Sequence, residues 1–408
     1  MALDTEQLRA ETPGCRPEMV HFNNAGASLM PRPVIEAVER HWAEEIMSGG
    51  YEAAEGAAGR LQAAYDATAR LVGGAPDEIA FFDNATRAWQ AAFYAVGWEP
   101  GDRLITGQSE YNSNMIAFRH AETHLGIEVV LAPDTRDGIV DVAALERLMT
   151  DRTRLIAISH MPTNDGLINP AREIGAVARR RGVPFLLDAC QSVGQMPIDA
   201  GALGCTMLSA TGRKYIRGPR GTGFLWVDGA ALDALRPHVL DIQSAQWTEV
   251  DRFELAAGAR RFELWERNVA AQLGLGAACR YALDIGLENI WTHVSGLAMQ
   301  MRSMLAGLPG ITVQDRGIEQ SGIVTFFHET VPAEALVRQL RERFGINTSV
   351  SNTQLTRRSL REQGVTALVR ASVHAYNTAD EVRRLGEALA VLTAGKQGKK
   401  ELNAGQNA

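Results

Sequence analysis

The chain has 408 residues, room for more than one domain, and its 46% hydrophobic and 22% charged residues are those of an ordinary globular protein. A formal net charge of -7 argues against a general nucleic-acid binder, which carries a basic stripe, but leaves room for a local site that takes a small anion. The cysteines, Cys15, Cys190, Cys205 and Cys279, form no CxxC pair and read as reduced thiols. With no basic-then-apolar start and no apolar run near the ~18 residues of a membrane span, the expectation is a soluble cytoplasmic protein.

After an N-terminal arm (1–20), "PRPVIEAVERHWAEEI" has apolar residues at helical spacing, with Pro31 or Pro33 suited to a first turn. From residue 79 short apolar runs, "EIAFF", "DRLITG", "RLIAIS" and "VPFLLDA", alternate with amphipathic stretches. In "NPAREIGAVARRRG" Asn169 is expected to cap a helix, Pro170 to open it and Gly182 to end it. Strands apolar on both faces, alternating with helices, predict an α/β domain over 21–255 with a mostly parallel sheet sandwiched by helices. Over 256–394 the pattern changes to an interdomain helix and a small α+β domain. There "SGIVTFF" and "LVRASVHAY" read as strands, "PAEALVRQLRERFG" as a helix, and "TADE" as a capping box. The polar tail 395–408 is expected to be disordered.

In α/β sheets ligands bind beyond the carboxyl ends of the strands, so the polar residues that follow each run are the candidates. They are Ala85 and Thr86 at a helix start, Thr163, Asp188 and Gln191, and then Thr211, Arg213 and Lys214. Asp188 either caps a turn or meets a cation inside the fold. Lys214 stands among Arg213, Arg217 and Arg220, and neighbouring positive charge with burial favours the unprotonated amine that a Schiff base needs. Lysine, buried acid and phosphate-type donors together fit pyridoxal 5'-phosphate. Three other signals are set aside. "HAETH" lacks the second-position glutamate of a zinc protease and no metal is expected; "GPRGTGF" is no dinucleotide fingerprint; Cys190 reads as a packed small residue.

The ordered motifs "DNAT", "SEYNSN", "LLDACQSVGQMPID", "SATGRK", "GPRGTGFL", "RRFE" and "RASVHAYNT" resemble the class V aminotransferase family of fold-type I pyridoxal-phosphate enzymes. That family holds cysteine desulfurases, isopenicillin N epimerases and hercynylcysteine sulfoxide lyases. The resemblance implies a seven-stranded-type sheet, a homodimer, and a cofactor held by Lys214, with Asp188 on the pyridine N–H and Gln191 and Thr163 near the phenolic oxygen. It implies a phosphate cradle of Thr211, Arg213 and the Ala85 and Thr86 amides, and a substrate carboxylate gripped by Arg370. Tyr111 stands where the family stacks a histidine on the ring. Leu264, Trp265 and Glu266 stand where many members have Gly-Thr after "RFE", so the threonine that reaches the neighbouring subunit's phosphate is missing, which leaves open whether Glu266 or Arg267 replaces it; Trp247, Trp265 and Arg260 lie in the segment that would cross over. The loop "NTSVSNTQLTRRSLREQG" has no cysteine, where desulfurases carry one to take up sulfur as a persulfide. The expectation is therefore a lyase that eliminates sulfur from a cysteine conjugate or related amino acid, with epimerase or aminotransferase as the alternative.

Overall fold

Alternation along short strands builds the centre of the molecule, which in this computed structural model is described for residues 3–353, 360 and 364–404. Ile79, Phe81, Ile105, Ile156, Ile158, Phe185 and Leu187 bury one face of a sheet. Ala80, Leu104, Leu155, Ala157, Leu186 and Leu225 bury the other. The sheet has seven strands, ordered Ile79–Phe82, Gly223–Val227, Met207–Thr211, Phe185–Asp188, Thr153–Ser159, Arg103–Thr106 and Glu128–Leu131. Gly223–Val227 runs antiparallel to both neighbours and the other pairings are parallel, so the sheet is mostly parallel as expected.

Helices Ala85–Tyr94 and Asn112–Leu125 cover one face with Trp89, Phe93 and Phe118. Helices Ala58–Leu71, Ala171–Arg181 and Val269–Ile285 cover the other. Gly182 ends its helix in the left-handed conformation, as predicted. Asn169, however, is not the cap: Pro170 holds that position and makes no side-chain cap bond. The Asn169 side chain accepts from Val140 N at 3.1 Å and donates to Ser159 O at 2.8 Å. Two buried backbone groups outside the helix need partners more than its frayed first turn does.

A second, antiparallel sheet of Ile311–Val313, Ile323–His328, Ala367–Ser372 and Ser349–Asn352 carries helices Leu287–Ala306 and Ala333–Phe344. Thr378 and Glu381 form the capping box of the last helix, each bonding the other's backbone N–H at 3.2 Å. That helix, Ala379–Ala404, runs on into the segment expected to be a disordered tail, because Lys, Gln, Glu and Leu there are good helix formers. Residues 405–408 lie outside the described residues, as do 354–359 and 361–363 of the cysteine-free loop. The N-terminal strand Val20–His21 pairs with Ile346–Asn347, and Ser372 N donates to Phe22 O, so the start of the chain is stitched to the small domain.

Candidate active site

The carboxyl ends of Ile79–Phe82, Arg103–Thr106, Thr153–Ser159, Phe185–Asp188 and Met207–Thr211 open on one side of the sheet, where they meet the start of the antiparallel strand at Gly223. A cavity of about 260 Å³ lies there, lined by Ala85, Thr86, Tyr111, Thr163, Asp188, Gln191, Thr211, Arg213 and Lys214. Of the residues expected to hold the cofactor and the substrate carboxylate, all but one share that wall. The remaining one, Arg370, reaches it from the small domain through Thr163, donating to its carbonyl at 3.0 Å and to its Oγ1 at 2.5 Å.

At one end of the cavity, Asn84 caps helix Ala85–Tyr94 by accepting from Arg87 N, which leaves the Ala85 and Thr86 amides at a positive helix terminus. Arg213 Nη1 donates to Thr211 Oγ1 at 2.9 Å beside them. The approach is close: a Cβ on Gly223 would sit 2.7 Å from Ala85 N and 2.9 Å from Ala210 O. Cation, hydroxyl and free amides make an anion site.

Across the middle, Asp188 Oδ1 accepts from Cys190 N at 3.1 Å and its Oδ2 accepts from Asn114 Nδ2 at 3.0 Å. Opposite, Gln191 Nε2 donates to Ala25 O and to Thr163 Oγ1, and its buried Oε1 has no partner. Lys214 Nζ stands 6.0 Å from the centroid of the Tyr111 ring. Enclosure by protein lowers Lys214 to about 8, with the Arg213 and Arg370 guanidiniums pushing the same way. Burial also lowers Arg370, to about 10, so it keeps its charge. Its other nitrogens meet Ser349 Oγ and Asn23 Oδ1, and no carboxylate of a described residue pairs with it. A buried, charged guanidinium whose described partners are all neutral oxygens keeps a positive charge at this end of the site, chemistry suited to a carboxylate.

Of the arginines that crowd Lys214 in sequence, only Arg213 and Arg220 line the cavity. Arg217, at φ 64°, turns away. It lies against the Tyr281 and Tyr376 rings and donates to Leu29 O and Thr12 Oγ1, which anchors the N-terminal arm.

Sequence reasoning passed over Glu110 and Asn114, although both stand in "SEYNSN" beside Tyr111. Glu110 accepts from Ser159 N at 2.5 Å and Ser159 Oγ at 2.9 Å, and burial, aided by the Asp188 charge, raises it to about 7. Burial likewise raises every thiol: Cys15, Cys190, Cys205 and, to about 12, Cys279. Glu266 and Arg267 line a neighbouring cavity of about 230 Å³ and not this one.

The family model described as Aminotransferase class-V matches residues 20–385. A probable cysteine desulfurase of Methanothermobacter thermautotrophicus is 28% identical over 94% of this chain and 97% of its own. The apo structure of a cysteine desulfurase from Thermococcus onnurineus superposes with a TM-score of 0.88 at 24% identity, covering 97% of this chain and 99% of that one. A cystine C–S lyase, solved with its product cysteine persulfide, superposes with a TM-score of 0.83 at 23% identity, over 93% of this chain and 99% of its own. The site lies on the part of the chain that the family model spans.

Proposed function

Because the chain belongs to the class-V aminotransferase family, we propose that it is a C–S lyase that removes sulfur from Cβ of a cysteine conjugate or related amino acid by elimination. Its cofactor is pyridoxal 5'-phosphate. The residues present fit that group: a ready anion site at Ala85 and Thr86, an amine at Lys214, an acid at Asp188, and an unsatisfied Gln191 oxygen between them. When bound, it supplies an electron-accepting ring for negative charge at the substrate Cα.

In this reading the protein's own groups do the rest. Thr211, Arg213 and the Ala85 and Thr86 amides hold the phosphate. Asp188 would pair with the ring N–H, Gln191 and Thr163 would serve the phenolic oxygen, Tyr111 would supply an aromatic face, and Lys214 would be the attachment point. Arg370 grips the substrate carboxylate, which fixes which Cα bond is broken. Lys214, once free, takes the Cα proton; the Cα–H electron pair then forms the Cα–Cβ double bond as the Cβ–S pair leaves with sulfur. Sulfur departs as a thiol once protonated, and hydrolysis of the remainder gives pyruvate and ammonia.

One observation carries elimination over persulfide transfer. The segment 347–364 has no cysteine, and the only cysteine on the cavity wall, Cys190, is a thiol whose ionisation burial opposes. Supplying S-substituted cysteines and assaying products tests this. Pyruvate with ammonia and the free thiol is the expected result. Alanine formed from cysteine, with sulfur left on the protein, would instead make the enzyme a desulfurase like its relatives. Cα–deuterium exchange with neither set of products would make it an epimerase.

A homodimer is part of the same proposal. Trp42, Ile46, Met47, Tyr51 and Trp265 stand exposed, with the Tyr51 and Trp265 rings 6.4 Å apart. An exposed hairpin, Ala245–Glu249 with Arg252–Leu255, presents Trp247 and Phe253. Apolar surface gathered in this way supports an interface.

A further inference from the structure

Glu110 is a buried acid with another acid close by and, among the described residues, no ion-pair partner, an arrangement that by itself costs stability. Its bonds explain what it holds. Oε1 takes Ser159 N and Oε2 takes Ser159 Oγ, at the end of the strand whose Ser159 is the register partner of Asp188. Oε2 also accepts from Asn114 Nδ2 at 3.2 Å, and that same nitrogen donates to Asp188 Oδ2 at 3.0 Å. Asn114 thus turns both hydrogens of one amide toward two carboxylates. A carboxylate only accepts, so each of the two calls for the NH₂ group, and a half-turn flip would set the amide oxygen against both. Between two of them it has a single acceptable orientation.

We infer that Glu110 is a positioning residue for the cofactor's ring nitrogen: it locks Asn114, and Asn114 in turn holds Asp188 with its remaining lone pair on the cavity. This rests on the reading of Asp188 as the ring-nitrogen partner. A glutamine at 110 would replace one acceptor with a donor. Ser159 N still requires the remaining oxygen, so the new NH₂ group faces Asn114 Nδ2. Asn114 then flips, its oxygen meets Asp188, and the carboxylate swings off its aim.

The test titrates the apo protein with pyridoxal 5'-phosphate and, separately, with its analogue in which ring C–H replaces the nitrogen. Wild type is expected to bind the nitrogen form about tenfold more tightly, the worth of one charge-assisted hydrogen bond. E110Q and N114A should each lose that preference while binding the carbon analogue as wild type does, and the double variant should lose no more than either one. Equal weakening of both ligands by E110Q, or losses that add in the double variant, would overturn the inference and leave Glu110 a fold-stabilising residue. A wild type that treats both ligands alike would instead overturn the Asp188 assignment. If E110Q does not fold, Glu110→Asp replaces it with the same expectation, since a side chain one methylene shorter cannot reach both Ser159 and Asn114.

Discussion

Lys214 and Arg370 are both cations taken out of water, and they respond differently. The compact ammonium loses its grip on the proton and falls to about 8, whereas the delocalised guanidinium stays charged near 10. One site therefore holds an amine that can give up its proton and a fixed positive charge that helps it do so. For the apo protein, the rate of capture of pyridoxal 5'-phosphate should climb as pH rises toward and through about 8, because the protonated amine below that value cannot attack. Lys214→Ala should abolish the near-visible absorbance band of the loaded protein; a band that persists in that variant would place the attachment elsewhere. At this scale the sequence was legible where a telling residue type follows a strand end, as at Asp188 and Lys214, whereas Arg370, inside its strand, was singled out by the resemblance alone. It was opaque where meaning lies in the partner. Glu110 reads as one more loop acid until the end of strand Thr153–Ser159 is known to bury it. Arg217 reads as one more cation crowding Lys214 until its side chain is seen against Tyr281 and Tyr376.

Among the elements, the antiparallel strand Gly223–Val227 decides how tightly the anion site closes. Its first residue lies against the start of helix Ala85–Tyr94 so closely that a methyl group has no place, with backbone on each side. Gly223→Ala should cost about 1–3 kcal/mol of stability, read from denaturant unfolding, and should weaken cofactor binding by pushing the Ala85 amide outward. Unchanged affinity would mean that this amide takes no part in holding the phosphate. The strands and helices themselves were legible because buried faces alternate with a period of two and helices carry their own stop signals, as Gly182 does. Asn169 shows the limit of such signals. An Asn-Pro pair marks a helix start, yet a long-range demand from Val140 and Ser159 outcompeted the local one.

For the molecule as a whole, the exposed aromatic and aliphatic side chains near Trp42 and Trp265 set the expected assembly. Light scattering of the wild type should give the mass of two chains. Changing Ile46 and Met47, both strongly exposed, to lysine should shift it toward one chain with little change in the unfolding of each protomer. A wild type that stays at the mass of one chain would remove the dimer from the proposal. A change in pattern near residue 255 is the mark on which the expectation of two domains rests, but the stitching of Val20–His21 to Ile346–Asn347 has no such mark. Pairing between the two ends of a chain leaves no local mark on either.

That stitching also sets an order of events during synthesis. The cavity wall is drawn from Asn84 to Gly221, so a ribosome has released every one of its residues well before Arg370 and its neighbour Ser372 are made. Asn23, which contacts Arg370, and Phe22, which pairs with Ser372, must wait exposed for nearly the whole translation time. A nascent chain therefore holds every residue of the cavity wall while it still lacks the guanidinium that reaches that wall through Thr163.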